Sequence, residues 1–458
     1  MQEGFLGYHS EWNMGSPGGW DYQRMAQEIG KLAWDRIKKN CDVDIDLDFD
    51  DPILNPVPNF ARLILRAHKK NFPGQNPRIC IVAEKETLDK VGENIRFVEY
   101  LNSLPNVKAW LIDPTELELR NGKVYIGNDR ITAIFLDFNN NVIVKLKKKY
   151  NLDALLTAIK QELVTNPRGM EPIGVKGVFE AVTLQYKDIL SDTTVERTPW
   201  TRQFYPRRTT GPNGEDIPDL VEWVKVNWAN IILKPIHGYS GHGIIIGYKE
   251  DDKEHAIQNV LTSGDYIVQA FIPTELWTEE FPWIDREEGK LFIKRWQTDF
   301  RCFITDVGLI GFVTRFGGIP TNVGSGGGVQ SAAILRSNIP LSESVKIINE
   351  AILGLGFDFI WELQQELDKK SIDMGNVYLL GPIMNTLRPR IITQAHIDYL
   401  KQYAQNLWKD ALTLEKLYLE GKLAKFVQIS PEEEEIARFA SWKGNAALIA
   451  SDGLFGFR

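Results

Sequence analysis

The residues best suited to chemistry lie in a glycine-containing stretch, WANIILKPIHGYSGHGIIIGY. An apolar run typical of a β-strand ends at Lys234, a loop with Gly238, Gly241 and Gly243 follows, and a second apolar run comes next. Two strands joined by such a loop form a flap whose backbone N–H groups can close over phosphates, and the lysine adds a positive point charge. The stretch lacks the spacing of a Walker P-loop, and a purely structural glycine hairpin is the alternative interpretation.

A second group of polar side chains occurs in TDFRCFITDVGLIGFVTRFGGIPTNVGSGGGVQ. Asp299 and Arg301 are two positions apart on a predicted strand and therefore share a face, and Arg315 ends the next strand. Asn322 then precedes the glycine-rich loop 324–328. Arginines and a glycine loop at strand ends suit an anionic ligand, and a surface meander is the alternative.

An apolar strand that runs into a loop is predicted by GDYIVQAFIP at 264–273. An adenine ring could lie against such a segment and hydrogen-bond to its backbone. Most strands of this kind are plain core, so the stretch has meaning only together with the others.

The fourth stretch is SEWNMGSPGGWDY near the start of the chain. Glu11 and Asn13 point the same way from an extended segment and offer a carboxylate and an amide oxygen, which are ligands that Mg²⁺ accepts. Ser16 and Gly18 allow an anion to approach the backbone closely, and a helix from residue 20 onward would add its N-terminal dipole. ExN is a common tripeptide, so an ordinary strand is the alternative.

Helix and strand patterns indicate what must position these groups. Residues 20 to about 40 place apolar side chains on one helical stripe. From Arg78 the strands RICIVAE, VKAWLIDP and VYIGNDRITAIFLDF alternate with a helical stretch, which favours a parallel or mixed α/β sheet. No GxGxxG fingerprint follows the first strand, so dinucleotide binding is not supported. Beyond residue 336 the pattern becomes mainly helical. Apolar residues repeat at intervals of three and four from Leu400 to Tyr418, and SPEEEE at 430–435 is typical of a helix start.

Aspartates alternate with apolar residues in CDVDIDLDFDD, at 41–51. A period of two places the carboxylates on one strand face. A cation site is one interpretation. The other, which we favour, is a solvated edge strand whose charges prevent pairing with another sheet.

Length and composition exclude several classes of protein. The chain has 458 residues and a formal net charge of −8, so about three lobes are expected and a surface devoted to nucleic acid is not. Three scattered cysteines and six scattered histidines form neither a disulfide framework nor a zinc motif. No apolar run is long enough to span a bilayer, and the N-terminus lacks the features of a secretory signal. We therefore expect a soluble, cytoplasmic protein that binds neither membrane nor nucleic acid.

Taken in order, these stretches resemble the circularly permuted branch of the ATP-grasp superfamily, which includes type 2 proteins and, more distantly, glutathionylspermidine synthetase and eukaryotic glutathione synthetase. The matching segments are RICIVAE with LIDPTELELRNGKVYIG, PIGVKGVFEAV, RTPWTR, IILKPIHGYSGHGIIIG and TRFGGIPTNVGSGGG. In the permuted branch the metal-binding ExN strand precedes the nucleotide lobe, as Glu11-Trp12-Asn13 does here. The resemblance covers about residues 5–335.

The resemblance implies a set of roles. The expected ATP contacts are Lys176, Lys234, Gly241, Gly243, Gln269, Ala270 and Phe271. The expected Mg²⁺ ligands are Glu11 and Asn13, with Asp299 and Asn322 as further candidates. The expected catalytic groups, which would face the phosphoryl group, are Arg301 and Arg315. The expected substrate contacts are Ser16, Gly18, Arg202, Gly326 and Gly327.

Two departures from the family pattern are visible. Gln269-Ala270 stands where the family often has Gln-Glu, which removes one ribose contact. Related enzymes also have an Asp about a dozen residues before ExN, and this chain begins too late to supply it there. Asp299 is the candidate substitute.

The implied fold is α/β, with an ATP-grasp nucleotide cleft and four regions: an N-terminal segment with the metal-binding strand (1–75), a pre-ATP-grasp α/β domain (76–150), ATP-grasp lobes (151–335) and an α-helical C-terminal region (336–458). The implied reaction is ligation of a small-molecule or peptide carboxylate to an amine or a thiol, with ATP and Mg²⁺, through an acyl phosphate. A small-molecule kinase on the same scaffold and a non-catalytic nucleotide-binding scaffold are the alternatives. The helical region is a candidate surface for substrate or for a second subunit in a homodimer.

Overall fold

The computed structural model has a mixed α/β fold. It describes residues 5–238, 243–319, 321, 323–378, 381–440, 442 and 447–457. The helices are α1 Trp20–Lys38, α2 Pro56–Asn71, α3 Gly92–Ser103, α4 Asn140–Lys147, α5 Asp153–Lys160, α6 Val178–Glu180, α7 Asp192–Arg197, α8 Leu220–Val226, α9 Lys253–Ser263, α10 Leu341–Gly354, α11 Phe357–Asp373, α12 Gln394–Leu419, α13 Ala424–Val427 and α14 Pro431–Phe439.

The strands divide among several sheets. They are β1 Phe5–Asn13, β2 Leu47–Asp48, β3 Arg78–Val82, β4 Lys108–Ile112, β5 Glu118–Arg120, β6 Lys123–Ile126, β7 Asp129–Arg130, β8 Ala133–Leu136, β9 Thr201–Gln203, β10 Thr209–Thr210, β11 Asp216–Ile217, β12 Ile231–Pro235, β13 Ile245–Ile246, β14 Tyr266–Ala270, β15 Thr278–Asp285, β16 Lys290–Thr305, β17 Gly308–Gly317, β18 Gly328–Gln330, β19 Ala332–Leu335, β20 Val377–Tyr378, β21 Gly381–Pro382, β22 Arg390–Ile392 and β23 Ile449–Phe457.

The largest sheet brings the two ends of the chain together. Its strand order is β1-β23-β16-β17-β18, with β15 paired to β16, and the neighbours are antiparallel. The first described strand therefore lies beside the last one. The strand β23 was not predicted by the sequence, which indicates a mainly helical region beyond residue 336.

A central cleft lies beside the main sheet, and two smaller sheets form its other walls. Strands β13-β12-β14-β9 make an antiparallel sheet, as the paired apolar runs around Lys234 predict. Strands β4-β3-β8 are parallel, with α3 in the crossover between β3 and β4. The predicted α/β pattern from Arg78 onward is therefore confirmed, since parallel neighbours need such a crossover.

Helices of the C-terminal region pack on the main sheet. The predicted apolar stripe of α12 is buried, including Leu400, Tyr403, Leu407 and Leu414. Ser430 caps α14 by accepting a hydrogen bond from the backbone of Glu433, as SPEEEE predicts. The stripe of α1 is also buried. Among the described residues, no helix combines the length and apolar character that a membrane span requires.

The alternating aspartates form a solvated edge, as we favoured. Asp42, Asp44 and Asp46 are exposed, whereas the intervening Val43 and Ile45 are buried in the core. Only the short β2 is regular strand, and it pairs with β19 at the end of a three-stranded sheet. No group of three or more His, Cys, Asp or Glu side chains that could hold a metal ion occurs in the part of the chain that the structure describes.

Candidate active site

The floor of the cleft is built from the first and last strands. On β1, Glu11 and Asn13 line the cleft, while Trp12 is buried between them against Phe179, at 4.7 Å between ring centroids. The backbone of Glu11 is directly opposite Asp452 on β23. Asn13 Nδ2 also donates to Asp452 Oδ2 at 3.4 Å. Three oxygen-bearing side chains from the two ends of the chain therefore meet at one place.

A buried histidine fixes β1 in position. His9 Nε2 is 2.5 Å from Thr198 Oγ1, and its Nδ1 is 2.9 Å from Tyr403 Oη. Burial, with a smaller contribution from Arg197, lowers the pKa of His9 to about 3, so the ring is neutral at physiological pH. These contacts hold the strand so that Glu11 faces the cleft.

Two arginines bind the carboxylates of the floor. Arg301 donates to both oxygens of Asp452, at 2.6 and 2.7 Å, and Arg315 donates to both oxygens of Asp299, at 2.7 Å each. Arg315 also reaches Asp452 Oδ2 at 3.2 Å, and Thr321 Oγ1 donates to Asp299 at 2.5 Å. The network is preorganised, because each guanidinium is oriented by two hydrogen bonds.

The charges in this network stabilise one another. Burial alone would raise the pKa of Asp452, but Arg301 and Arg315 hold it below its usual value. Burial would lower the pKa of Arg315, but Asp299 and Asp452 raise it above its usual value. Asp452 and Arg315 therefore remain charged at neutral pH, and both arginines line the cleft.

Two lysines lie near Glu11, Lys176 in the segment before α6 and Lys234 on β12. Lys176 Nζ is 3.4 Å from Glu11 Oε1 and donates to Gly238 O at 2.7 Å. Lys234 Nζ donates to Gln269 Oε1 at 2.8 Å and to Ser10 O at 3.4 Å. Burial lowers the pKa of Lys234 to about 8, an effect that Glu11 opposes and Lys176 reinforces. Two ammonium groups held this close are well placed to share an anionic ligand.

The structure describes part of the glycine-containing flap next to these lysines, up to residue 238 and again from residue 243. Strands β12 and β13 pair antiparallel, with Ile232 opposite Ile246. Gly243 has φ of 72°, and a Cβ there would lie 2.9 Å from Pro235 Cγ. Only glycine fits this position without strain. Gly241 lies outside the described residues.

The end of β14 and the residue that follows it line the cleft at the side where an adenine is expected. Gln269, Ala270 and Phe271 all line it, next to the apolar Ile232 and Ile246. The backbone N–H of Ala270 donates to Trp200 O at 2.8 Å, and that of Phe271 donates to Asn230 O at 2.9 Å. These two N–H groups are therefore used within the fold, and a ring bound here would rely on apolar contacts and other backbone groups.

The start of α1 does not offer the anion site that its glycines predict. The carboxylate of Glu93 already accepts from Gly19 N, at 2.8 and 3.0 Å, and from Asp21 N at 2.9 Å. A Cβ on Gly18 would lie 2.8 Å from Glu93 Oε1, and Ser16 Oγ donates to Asn139 Oδ1 at 3.2 Å. The expectation of an external anion at this helix dipole was wrong, because the protein supplies its own carboxylate.

Other expected substrate contacts lie away from the cleft. Arg202 is 1% exposed, and its guanidinium donates to Thr201 O at 2.7 Å and Thr210 O at 2.9 Å. It joins the hairpin β10–β11 to β9 and does not line the cleft, so its predicted substrate role is corrected to a structural one. Gly326 and Gly327 do not line the cleft either. Asn322 lies outside the described residues.

Sequence reasoning missed Asp452 and the carboxylates from the parallel-sheet domain, of which Asp137 is one. Asp452 lies at the opposite end of the chain from Glu11, so no local motif joins the two. The signal that could have found it is the apolar run ALIASDGLFGF, which suits a buried strand with one charged residue in it. Asp137 directly follows the strand β8, a position where ligands bind in open α/β sheets.

Comparisons with known proteins give only distant likenesses. No protein-family model and no curated protein sequence matches the chain. Among solved structures, it is similar to a RimK domain protein ATP-grasp from Sphaerobacter thermophilus DSM 20745, with 14% identity, TM-score 0.29, 61% of this chain and 82% of that chain. It is also similar to the macrocyclase MdnC bound with precursor peptide MdnA from Microcystis aeruginosa MRC, with 13% identity, TM-score 0.30, and coverage of 62% and 83%.

A third solved structure is the D-alanine–D-alanine ligase from Bacillus anthracis, with 12% identity, TM-score 0.28, 74% of this chain and 99% of that chain. The resemblance stated from the sequence names the same superfamily as the first of these structures. With TM-scores near 0.3, these likenesses carry no conclusion about what this chain binds or does.

Proposed function

We propose that this chain is an ATP-grasp enzyme that ligates a carboxylate to an amine, with ATP as a substrate and Mg²⁺ as a cofactor. The observation that carries the proposal is the meeting of Glu11, Asn13 and Asp452 with two lysines from the nucleotide side, Lys176 and Lys234. Oxygen ligands beside closely spaced ammonium groups suit a metal-bound triphosphate.

ATP fits the cleft by charge and by shape. The cavity measures about 940 Å³, at the upper end of small-molecule sites, and so has room for a nucleotide and a second substrate. The adenine would contact Ile232, Ile246 and Phe271, and the phosphates would extend towards Lys234 and Lys176. Lys234 is on the same face of β12 as Ile232, because the two are two positions apart on the strand.

The residues of the floor fit Mg²⁺ in kind. Glu11 and Asp452 offer carboxylate oxygens, and Asn13 offers an amide oxygen while its Nδ2 binds Asp452. Oxygen ligands of this type are those that Mg²⁺ takes, usually together with phosphate oxygens. When bound, the ion would neutralise phosphate charge. Both oxygens of Asp299 accept hydrogen bonds from Arg315 and Thr321, as both oxygens of Asp452 accept from Arg301, so hydrogen bonding does not distinguish these two carboxylates as ligands.

The proposed reaction needs no protein nucleophile. An oxygen of the substrate carboxylate attacks the γ-phosphorus, the bond to the β,γ-bridging oxygen breaks, and ADP leaves. The amine nitrogen then attacks the acyl carbon, the carbon–oxygen bond to phosphate breaks, and inorganic phosphate and one proton are released. Arg301 and Arg315 lie where they can stabilise the charge that develops on the transferred phosphoryl group.

The pairing of β1 with β23 supports a circularly permuted arrangement. If the ends of these antiparallel neighbours were joined, Asp452 would precede Glu11 by a short connection. Asp452 would then occupy the position of the acid that the family resemblance expects before ExN. The same arrangement makes Asp452, rather than Asp299, the better candidate for a third Mg²⁺ ligand.

The test is ADP release by the full-length chain over a panel of carboxylates, with hydroxylamine as the trapping amine. Hydroxamate formation that requires ATP and is lost in Glu11→Gln supports ligation through an acyl phosphate. Phosphorylation of a hydroxyl compound without hydroxamate would instead identify a kinase. Tight ATP binding without any turnover would identify a nucleotide-binding scaffold.

A further inference from the structure

The cleft extends beyond the arginines into an acidic end that the proposed function has not used. This acidic end is lined by Glu84, Glu93, Asp137, Glu171 and Glu433. Glu84 and Asp137 follow the carboxyl ends of the parallel strands β3 and β8. Ligands of open α/β sheets bind at this edge.

Three of these five carboxylates stabilise the fold: Glu93, Glu171 and also Glu433, which accepts hydrogen bonds from Ser430 N at 3.0 Å and Ser430 Oγ at 2.8 Å at the start of α14. Glu93 caps α1, and Glu171 accepts from Asn140 N, at 2.9 and 3.1 Å, at the start of α4. Asp137 accepts one hydrogen bond, from Asn94 at 2.5 Å. In the part of the chain that the structure describes, no lysine or arginine forms an ion pair with Glu84, Glu93 or Asp137. The fold therefore supplies no ion-pair partner to these three carboxyl groups among the described residues.

The pKa values reflect this crowding. Burial raises the pKa of Asp137 to about 6, with Glu84 adding to the effect. Burial raises the pKa of Glu93 to about 8, with Asp21 and Asp137 adding to the effect. A cation that entered this end would relieve the repulsion between these groups.

An independent observation points to a ligand that donates hydrogen bonds. Asn140 lines the cleft and is 2% exposed, and its Nδ2 donates to Arg168 O at 3.2 Å. Its Oδ1 has no hydrogen-bond partner among the described residues, and neither has Asn141 Oδ1. Buried acceptors normally have a donor. The two amide oxygens that lack a donor are hydrogen-bond acceptors, as are the carboxylates around them.

The acidic end adjoins the arginine network. Arg301 Nη1 donates to Gly18 O at 2.8 Å, and the next residue, Gly19, donates its N–H to Glu93. A single peptide unit therefore separates the guanidinium from the carboxylate. A ligand in the acidic end would lie next to an acyl group held at the arginines.

We propose that the acidic end binds the amine substrate as a cation and selects amines that carry no carboxylate beside the reacting nitrogen. Before the nitrogen attacks the acyl carbon, it gives one proton to a carboxylate of this end. This inference rests on the proposed function in one respect, since it treats the bound amine as a substrate. Binding of the amine does not itself depend on ATP turnover. An ammonium group supplies both the positive charge and the N–H donors that the carboxylates and Asn140 Oδ1 lack. An α-amino acid would bring its own carboxylate into a negatively charged pocket.

The test is binding of small probes to the full-length chain by calorimetry, without nucleotide and with ADP and Mg²⁺. The probes are butylamine, 1,4-diaminobutane, the uncharged 1,4-butanediol and glutamate. The variant is the double substitution Glu84→Gln with Asp137→Asn, and the matched control is Glu86→Gln, an exposed acid outside the cleft. Circular dichroism and ADP binding confirm that the variants are folded.

We expect both amines to bind, the diol and glutamate not to bind, and the double variant to weaken amine binding at least tenfold while Glu86→Gln leaves it unchanged. Equal binding of amine and diol, a preference for glutamate, or amine binding that the double variant leaves intact would overturn the inference. Amine binding without ATP turnover on any carboxylate would support the inference and count against the proposed function. ATP turnover with an amine that the double variant binds as tightly as the unsubstituted chain would support the proposed function and count against the inference.

Discussion

Glu11 on the first strand lies directly opposite Asp452 on the last, and Arg301 lies opposite Asp452 on its other side. The acidic floor of the cleft thus exists only when the two ends of the chain share a sheet. Loss of that contact would separate Glu11 from the arginines, so folding of the chain ends and formation of the site are one event.

Asp452→Asn is expected to abolish turnover and to lower the free energy of unfolding by about 3 kcal/mol, because it leaves the half-buried Arg301 partly unpaired. Arg315 keeps Asp299 as its partner. Chemical denaturation and ADP release measure the two effects. The exposed Asp373→Asn serves as the control and is expected to change neither. Full activity of Asp452→Asn would contradict the proposed role of the last strand.

Lys234→Met is expected to weaken ATP binding at least tenfold while leaving the melting temperature unchanged or higher. Among the described residues the buried ammonium has no carboxylate in direct contact, so its removal relieves a desolvation cost as it removes a phosphate contact. Binding of a fluorescent ATP analogue and a thermal melt separate the two effects. The exposed Lys249→Met is the matched control. If Lys234→Met lowered ATP affinity only to the extent that it lowered the melting temperature, Lys234 would stabilise the fold and would not contact phosphate.

The stability of the fold should decrease between about pH 4.5 and pH 8, in part because of Glu93. Its pKa is raised to about 8 in the folded chain, so in this window the folded state keeps a proton that the unfolded state has lost. One such proton corresponds to a slope of about −1.4 kcal/mol per pH unit. Glu93→Gln should remove that slope in denaturation measured at several pH values. Glu99→Gln, an exposed acid on the same helix, should leave the slope as it is.

Gly243→Ala is expected to destabilise the flap and weaken ATP binding. It combines a positive φ with a Cβ only 2.9 Å from Pro235 Cγ. Gly214→Ala is the matched control, since its φ is also positive, at 84°, but a Cβ there meets nothing within 4 Å. Both variants should lose about 1 kcal/mol from backbone strain, and only Gly243→Ala should also lose nucleotide affinity. Equal nucleotide affinity in the two variants would mean that flap geometry is not required.

Local patterns in the sequence were enough to predict several parts of the site. A strand period of two places Glu11 and Asn13 on one face, and both do line the cleft. The paired apolar runs around the glycine loop predicted the strands of the flap, and the apolar stripe of α12 predicted its buried face. Each of these features is encoded within one short segment, where spacing and side-chain type decide the outcome.

Other parts were decided by tertiary structure alone. The helix dipole at Trp20 looked free in the sequence, but Glu93 reaches it from another helix. Arg202 looked available for substrate, but it is held inside the fold. No local pattern identifies Asp452 as a site residue, and it becomes one only because β23 pairs with β1 in the main sheet. The physical reason is that the sequence fixes what each strand and helix can offer, whereas the order of strands in a sheet depends on contacts between segments far apart in the chain.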